Sequence, residues 1–406
     1  MNTMKTTVET ILDKYIEEKD ISGGSVLLYK DGKEVLRVNC GFADIKAGIP
    51  FKDDTIIRLY SMTKPITAAA VMILLERGVI ERLDPVSKYI PSFKKQYYYN
   101  EAGERVPVSR EMTIGDLLDM RGGLCYPDKE TKAGIEAGEL FKRIEKGFDT
   151  DKEMTTAEVA EEIGKLTLAF DPGSNYRYST SADVLGAVVE KAGGSRFSDF
   201  LYNEIFKPLE MHDTGFFVPE EKQDRLAKTY VPESHIKAGV NDNEVPMSDD
   251  GYNEYLGNNL GIRNRMEKAP SFESGGAGLS TTLDDYMKFA EMLLNKGTSK
   301  NGHKILNPQT LRFMTERWGD PLKDRLFHEA FGLYGFTYGN LLRICEEPGL
   351  GDTVMIKGEY GWDGWTGPYF ANIPSKNATL LIAIQRTESG TYALTRRIIN
   401  ALISEL

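Results

Sequence analysis

The chain of 406 residues is 41% hydrophobic and 10% aromatic, which excludes a disordered polymer and leaves one large two-part domain or two domains. Its 50 Lys and Arg against 61 Asp and Glu give a net charge of −11; this repels a phosphate backbone, no dense basic run offsets it, and nucleic acid is excluded as a partner. The three cysteines, Cys40, Cys125 and Cys345, have neither metal-ligand spacing nor a disulfide framework, and read as reduced, buried small hydrophobes.

Val8, Ile11, Leu12, Tyr15 and Ile16 fall on one face of an N-terminal helix that carries no signal-peptide core. In 25-SVLLYKDGKEVLRVNCGF-42, two strands flank Asp31-Gly32, the dipeptide that tight hairpins prefer. The stretch 60-YSMTKPITAAAVMILLERG-78 reads as a buried helix stopped by Gly78. Its apolar part is shorter than the roughly 20 residues that span a bilayer, so a soluble cytoplasmic protein with no membrane partner is expected. From 85 to 170, short periodic pieces such as 113–120 and 155–168 predict small helices between long loops. Residues 171–194 form a turn and then a helix, with Thr180 and Asp183 spaced as a capping box and Gly193 near its end. The polar segment 218–272 reads as long surface loops, and 282–297 as another capped helix. Strand texture returns at 352–362, 368–374 and 378–386, and an amphipathic helix at 391–406 closes the chain. The two ends are therefore expected to share one sheet. Residues 1–85 plus 273–406 would form a discontinuous α/β domain, and 86–272 an inserted, mainly helical and loop subdomain.

Positions three apart on a helix are neighbours, so Lys64 reaches the Ser61 hydroxyl. A serine is a weak nucleophile until a base takes its proton, and an ordinary lysine is too fully protonated to do so. Desolvation against an apolar helix lowers that proton affinity. Pro65 fits only a first helical turn, so the helix starts near Ser61, where free N–H groups face any charge developing on an attacked carbonyl oxygen. Ser-x-x-Lys alone is a weak motif. It recurs at Ser92–Lys95 and Ser234–Lys237, both in polar surroundings that read as solvated surface.

Two further stretches add to it. Together, 58-RLYSMTKPITA-68, 176-YRYSTSADVLGAVVE-190 and 361-GWDGWTGPYFANIP-374 resemble the serine β-lactamase-related hydrolases, in their class C-like carboxylesterase and acyltransferase branch. Weaker echoes lie at 113–124 and 274–294, so the likeness covers about residues 20 to 390. The resemblance implies an α+β fold: an antiparallel sheet flanked by helices, a helical subdomain, and the site in the cleft between. It implies Ser61 as nucleophile, Lys64 as its activating neighbour, and Tyr178 as the proton-trading phenol, in preference to Tyr176. Trp362, Asp363 and Gly364 match the third motif, and Thr180 the end of the second, as substrate contacts. The backbone N–H groups of Ser61 and Trp365 would form the oxyanion hole. A phenol base needs a nearby cation, so Lys64 and Tyr178 are expected to titrate as a coupled pair; which of them is the acylation base stays open.

True class C lactamases carry Asn and Lys where Thr180 and Trp362 stand. A tryptophan cannot hold a substrate carboxylate, which favours uncharged esters or thioesters over lactams. No Gly-x-Ser-x-Gly elbow is present, the four histidines are dispersed, and no metal or cofactor is implied. The expected function is a serine hydrolase or acyltransferase acting on small carboxylic esters through an acyl-Ser61 intermediate, with a small-molecule ester or amide as its partner. Alternatives are a β-lactamase or D-amino-acid peptidase, and a catalytically silent ligand-binding relative. Oligomeric state has no signature in the sequence.

Overall fold

Residues 2–238, 245, 248–249, 251–316 and 321–406 are described by a computed structural model. Helix α1 (Asn2–Glu17) buries Val8 and Leu12 completely, as its apolar stripe requires. Strands β1 (Gly23–Lys30) and β2 (Lys33–Asp44) meet through Asp31 and Gly32 at φ 54° and 69°, the left-handed pair of a primed hairpin turn. A short β3 (Ile49–Pro50) completes this end of the sheet.

The remaining strands come from the far end of the chain: β4 (Phe336–Gly339), β5 (Leu342–Cys345), β6 (Tyr360–Asp363), β7 (Tyr369–Ile373) and β8 (Ala378–Ala383). The order is β4-β5-β6-β7-β8-β1-β2-β3, antiparallel throughout, and the two ends join where Ser25 pairs with Ala383. Alternation splits each central strand between two cores. Val26, Leu28, Leu380 and Ile382 face α1 and the C-terminal helix, whereas Leu27 and Leu381 face the helical interior. Because both faces are covered, β8 is buried from end to end.

In that interior, α2 (Lys64–Glu76) is buried from Lys64 to Leu74 and packs against the helix that follows Tyr178. A 3-10 turn, Tyr60–Thr63, leads into it, and Gly78 at φ 67° ends the segment. Helices α3 (Lys132–Gly147), α4 (Thr156–Gly164), α5 (Ser181–Gly193) and α6 (Leu283–Leu294) come next in the chain, and of these α3 lends Phe141, Lys142 and Glu145 to the cavity over Ser61. They are followed by α7 (Pro308–Thr315), α8 (Pro321–Phe331) and α9 (Ala393–Ile403).

Several expectations need correction. Only Tyr360–Trp362 of 352–362 is strand, and the hairpin β4–β5 falls outside every predicted strand. The region expected to hold only small helices includes the 16-residue α3. Segment 218–272, part of which lies outside the described residues, is mostly loop but not simply surface. The buried Arg58 guanidinium donates to the carbonyls of Ala227 (2.6 Å) and Asn264 (Nε, 2.6 Å), which draws these loops onto the core. Nor does the capping box of α5 form. Thr180 makes no side-chain cap bond, and the Asp183 carboxylate is engaged elsewhere.

Candidate active site

Ser61 is half-buried in the turn before α2, and Lys64, the first residue of α2, is completely buried. Their spacing brings Lys64 Nζ to 3.1 Å from Ser61 Oγ. The amine has two other partners, the Tyr126 hydroxyl at 3.0 Å and the Gly276 carbonyl at 2.8 Å. Burial pushes its pKa down from 10.5 to about 7, against the opposing pull of the Asp183 and Asp363 carboxylates. Near neutrality a large fraction of Lys64 is therefore uncharged, with a lone pair able to accept the serine proton.

The phenol hydroxyl that hydrogen-bonds the amine is that of Tyr126. Lys64 Nζ instead lies 4.6 Å from the centre of the Tyr178 ring, over its face. The Tyr178 hydroxyl accepts from the Trp362 indole N–H at 2.9 Å. Between Lys64 and Tyr178 the contact is with the face of the ring, whereas the amine's hydrogen bond to a phenol is made with Tyr126. Burial raises the pKa of both phenols, Tyr126 well above its ordinary value, which keeps them protonated at neutral pH. Tyr126 lies two residues past the 113–124 echo, in the loop after the helix Ile114–Leu118, and no spacing marks it among 20 tyrosines. Tyr176 points into the core with its hydroxyl unpaired, against Phe327 and Tyr338.

The third stretch places its residues on two faces. Trp362 is buried against Tyr338, with ring centres 4.9 Å apart, and its N–H holds Tyr178, so it both packs the strand and orients a phenol. Asp363 accepts the Thr391 hydroxyl. Gly364 admits a close approach: a Cβ there would sit 2.2 Å from the Leu59 carbonyl oxygen, so only glycine lets the end of β6 abut the serine turn. Trp365 follows in a tight turn closed by Gly367 N–H on the Gly364 carbonyl at 2.8 Å. Among the described residues its own N–H meets no backbone acceptor. Ser61 N–H, near the start of its helical turn, has none within the helix. Thr180, expected at the substrate, is 1% exposed and absent from the cavity wall.

A cavity of about 860 Å³ opens over Ser61. Aromatic side chains, Tyr60, Tyr126, Tyr178, Tyr255, Phe331 and Trp365, form much of its wall. Of charged residues it presents Glu145, Asp363 and Glu388 against Lys142. Neither other Ser-x-x-Lys pair joins it: Lys237 is ion-paired with Glu233 at 2.6 Å, and Lys95 is exposed. No histidine lines it. Among the described residues no cluster of three metal-ligating side chains exists, and no helix is long and apolar enough to cross a membrane.

An antiparallel sheet covered by helices, with a Ser–Lys pair at the head of a buried helix, defines the β-lactamase and penicillin-binding protein class of fold. The chain belongs to the Beta-lactamase family, whose profile matches residues 8–404, in agreement with the resemblance read from its motifs. Protein Rv1367c of Mycobacterium tuberculosis is 29% identical over 371 residues, covering 89% of this chain and 85% of the relative. Esterase EstB of Burkholderia gladioli is 28% identical over 376 residues, covering 90% and 86%. The fold is shared with solved structures of EstCE1, described as a hydrolase with promiscuous acyltransferase activity (TM-score 0.78, 24% identity, 99% of this chain and 98% of that one). It is also shared with a LovD6 mutant of simvastatin synthase from Aspergillus terreus (TM-score 0.76, 20% identity, 98% and 94%).

Proposed function

We propose that the chain is a serine hydrolase that cleaves small carboxylic esters, or transfers their acyl group to an alcohol, through an acyl-Ser61 intermediate. One observation carries this reading: a wholly buried amine, its pKa lowered to about 7, lies 3.1 Å from a serine oxygen that faces a cavity. Ser61 Oγ attacks the ester carbonyl carbon while its proton passes to the Lys64 lone pair. The carbonyl oxygen becomes an oxyanion beside the Ser61 and Trp365 N–H groups. When the C–O bond to the alcohol breaks, the departing alkoxide takes a proton back through Lys64 and the phenols beside it. Water or a second alcohol then attacks the acyl-serine by the reverse sequence. The likeness to a protein named esterase supports this class of substrate.

The cavity wall argues against lactams and D-amino-acid peptides that end in a carboxylate. Trp362, buried, occupies the place of the anion-binding lysine, and three carboxylates face the same cavity. A silent relative would have no need of a desolvated lysine against its serine.

The purified protein is expected to hydrolyse p-nitrophenyl butyrate and to turn over a chromogenic cephalosporin far more slowly. Ser61→Ala should abolish ester turnover, and Tyr126→Phe should lower kcat by about a hundredfold. An activated phosphonate that leaves Ser61 unmodified would sink the proposal.

A further inference from the structure

Asp183 has the sequence position of a helix cap, yet its carboxylate is 3% exposed and turned toward the loop before α6. Its Oδ1 accepts from Ser274 Oγ at 2.5 Å and from Gly276 N–H at 3.0 Å. Ser274 Oγ in turn accepts from Ala277 N–H at 3.0 Å. The other side of this loop is fastened to α2: the Thr67 hydroxyl donates to the Gly275 carbonyl at 2.7 Å, and the Gly276 carbonyl takes its bond from Lys64 Nζ. The fit is close. A Cβ on Gly276 would stand 2.8 Å from Asp183 Oδ2 and 2.9 Å from the Tyr126 hydroxyl, so the carbonyl can lie where it does only if residue 276 is glycine.

The chemistry of the three groups around the amine gives this loop a purpose. A neutral amine has two N–H donors and one lone pair, and a carbonyl oxygen can only accept. The Gly276 carbonyl therefore claims one N–H, and the lone pair is left to face Ser61 Oγ or the Tyr126 hydroxyl, both of which can donate. Resting on the acyl-transfer reading above, we propose that Asp183 is a positioning residue: through Ser274 and Gly276 it fixes the carbonyl that aims the Lys64 lone pair at the serine proton. Its charge acts in a second way, by favouring the protonated amine. The groups facing Lys64 are Ser61 from its own segment, the Tyr126 hydroxyl, the Tyr178 ring, and the carboxylates of Asp183 and Asp363.

Two substitutions separate these effects. Asp183→Ala removes the acceptor and is expected to lower kcat for p-nitrophenyl butyrate by about tenfold or more, with KM within about threefold. Asp183→Asn keeps an acceptor oxygen and should recover most of kcat. Without the negative charge, Lys64 loses its proton more readily, so the acid limb of the kcat profile should move to lower pH by about half a unit or more. A kcat for Asp183→Ala within about twofold of the parent, or no recovery with Asn, overturns the proposal. Should Asp183→Ala fail to fold, Ser274→Ala takes its place, with kcat expected to fall by about threefold or more and an unchanged kcat again overturning the proposal. A readout free of turnover keeps this test apart from that of the function. In protein labelled with ¹³C at lysine, the Lys64 titration midpoint should be lower in Asp183→Asn than in the parent, whether or not any ester is cleaved. An unchanged midpoint counts against Asp183 alone; a shifted midpoint in a protein that cleaves no ester counts against the acyl-transfer reading alone.

Discussion

Lys64 illustrates a side chain that costs stability in the form that makes it useful. Its folded-state pKa of about 7 lies below the ordinary 10.5 because burial penalises the ammonium. Between those values the unfolded chain holds the proton and the folded chain does not, so stability rises with pH across that window. The burial penalty is fully present below about pH 7 and gone above 10.5. Lys64→Met, which keeps the length without the charge, should stabilise the fold at pH 6 by on the order of a few kcal/mol and by almost nothing near pH 10.5. Urea unfolding at the two pH values measures the difference; an equal effect at both would mean that the amine is not desolvated. The same titration should appear in ester hydrolysis as kcat/KM that climbs with pH through about 7, as Lys64 becomes the neutral base.

Helix starts show how far local spacing carries. Thr155 and Glu158 form a complete capping box on α4, with the Thr155 N–H on Glu158 Oε2 at 2.8 Å and the Glu158 N–H on Thr155 Oγ1 at 3.3 Å. Thr180 and Asp183 have the same spacing on α5 and form none. Thr155→Val should therefore cost about 1 kcal/mol of unfolding free energy, and Thr180→Val clearly less. Equal costs in a denaturant titration would restore the cap to Thr180. The contrast has a tertiary cause: the Ser274 hydroxyl and Gly276 N–H reach Asp183 from a segment about ninety residues away, and no local pattern encodes that. Similar reasoning separates the legible parts of the fold from the rest. The β1–β2 hairpin was legible because Asp31-Gly32 is a turn dipeptide between alternating strands. The β4–β5 hairpin turns through Asn340 and Leu341 at φ 50° and 63°, and a leucine in that conformation gives no turn signature. Ser61 and Lys64 were legible because both stand on one helix. Tyr126 reaches the same amine from a loop, and only the folded chain brings it there.

The whole molecule carries a net charge of −11, and the cavity over Ser61 repeats that sign with Glu145, Asp363 and Glu388 against Lys142. Long-range and local fields thus act together on a substrate: the surface disfavours the approach of an anion, and the wall disfavours its seating. They respond differently to salt. At roughly 0.1 M ionic strength the Debye length is about 10 Å, so the surface contribution fades while half-buried carboxylates in a cleft stay less screened. A matched pair of activated esters, one neutral and one ending in a carboxylate, separates the two contributions. The neutral ester should have the higher kcat/KM and little dependence on salt. The anionic ester should gain as NaCl is raised, yet remain the poorer substrate at high salt, because the half-buried Glu145 and Asp363 still flank the cavity. Glu388 is exposed at the cavity rim, so Glu388→Gln should narrow the gap at low salt and have little effect at high salt, without altering hydrolysis of the neutral ester. If salt erased the whole difference, preference would reside in the surface field alone, and the cavity wall would have no part in excluding carboxylate-bearing lactams and peptides.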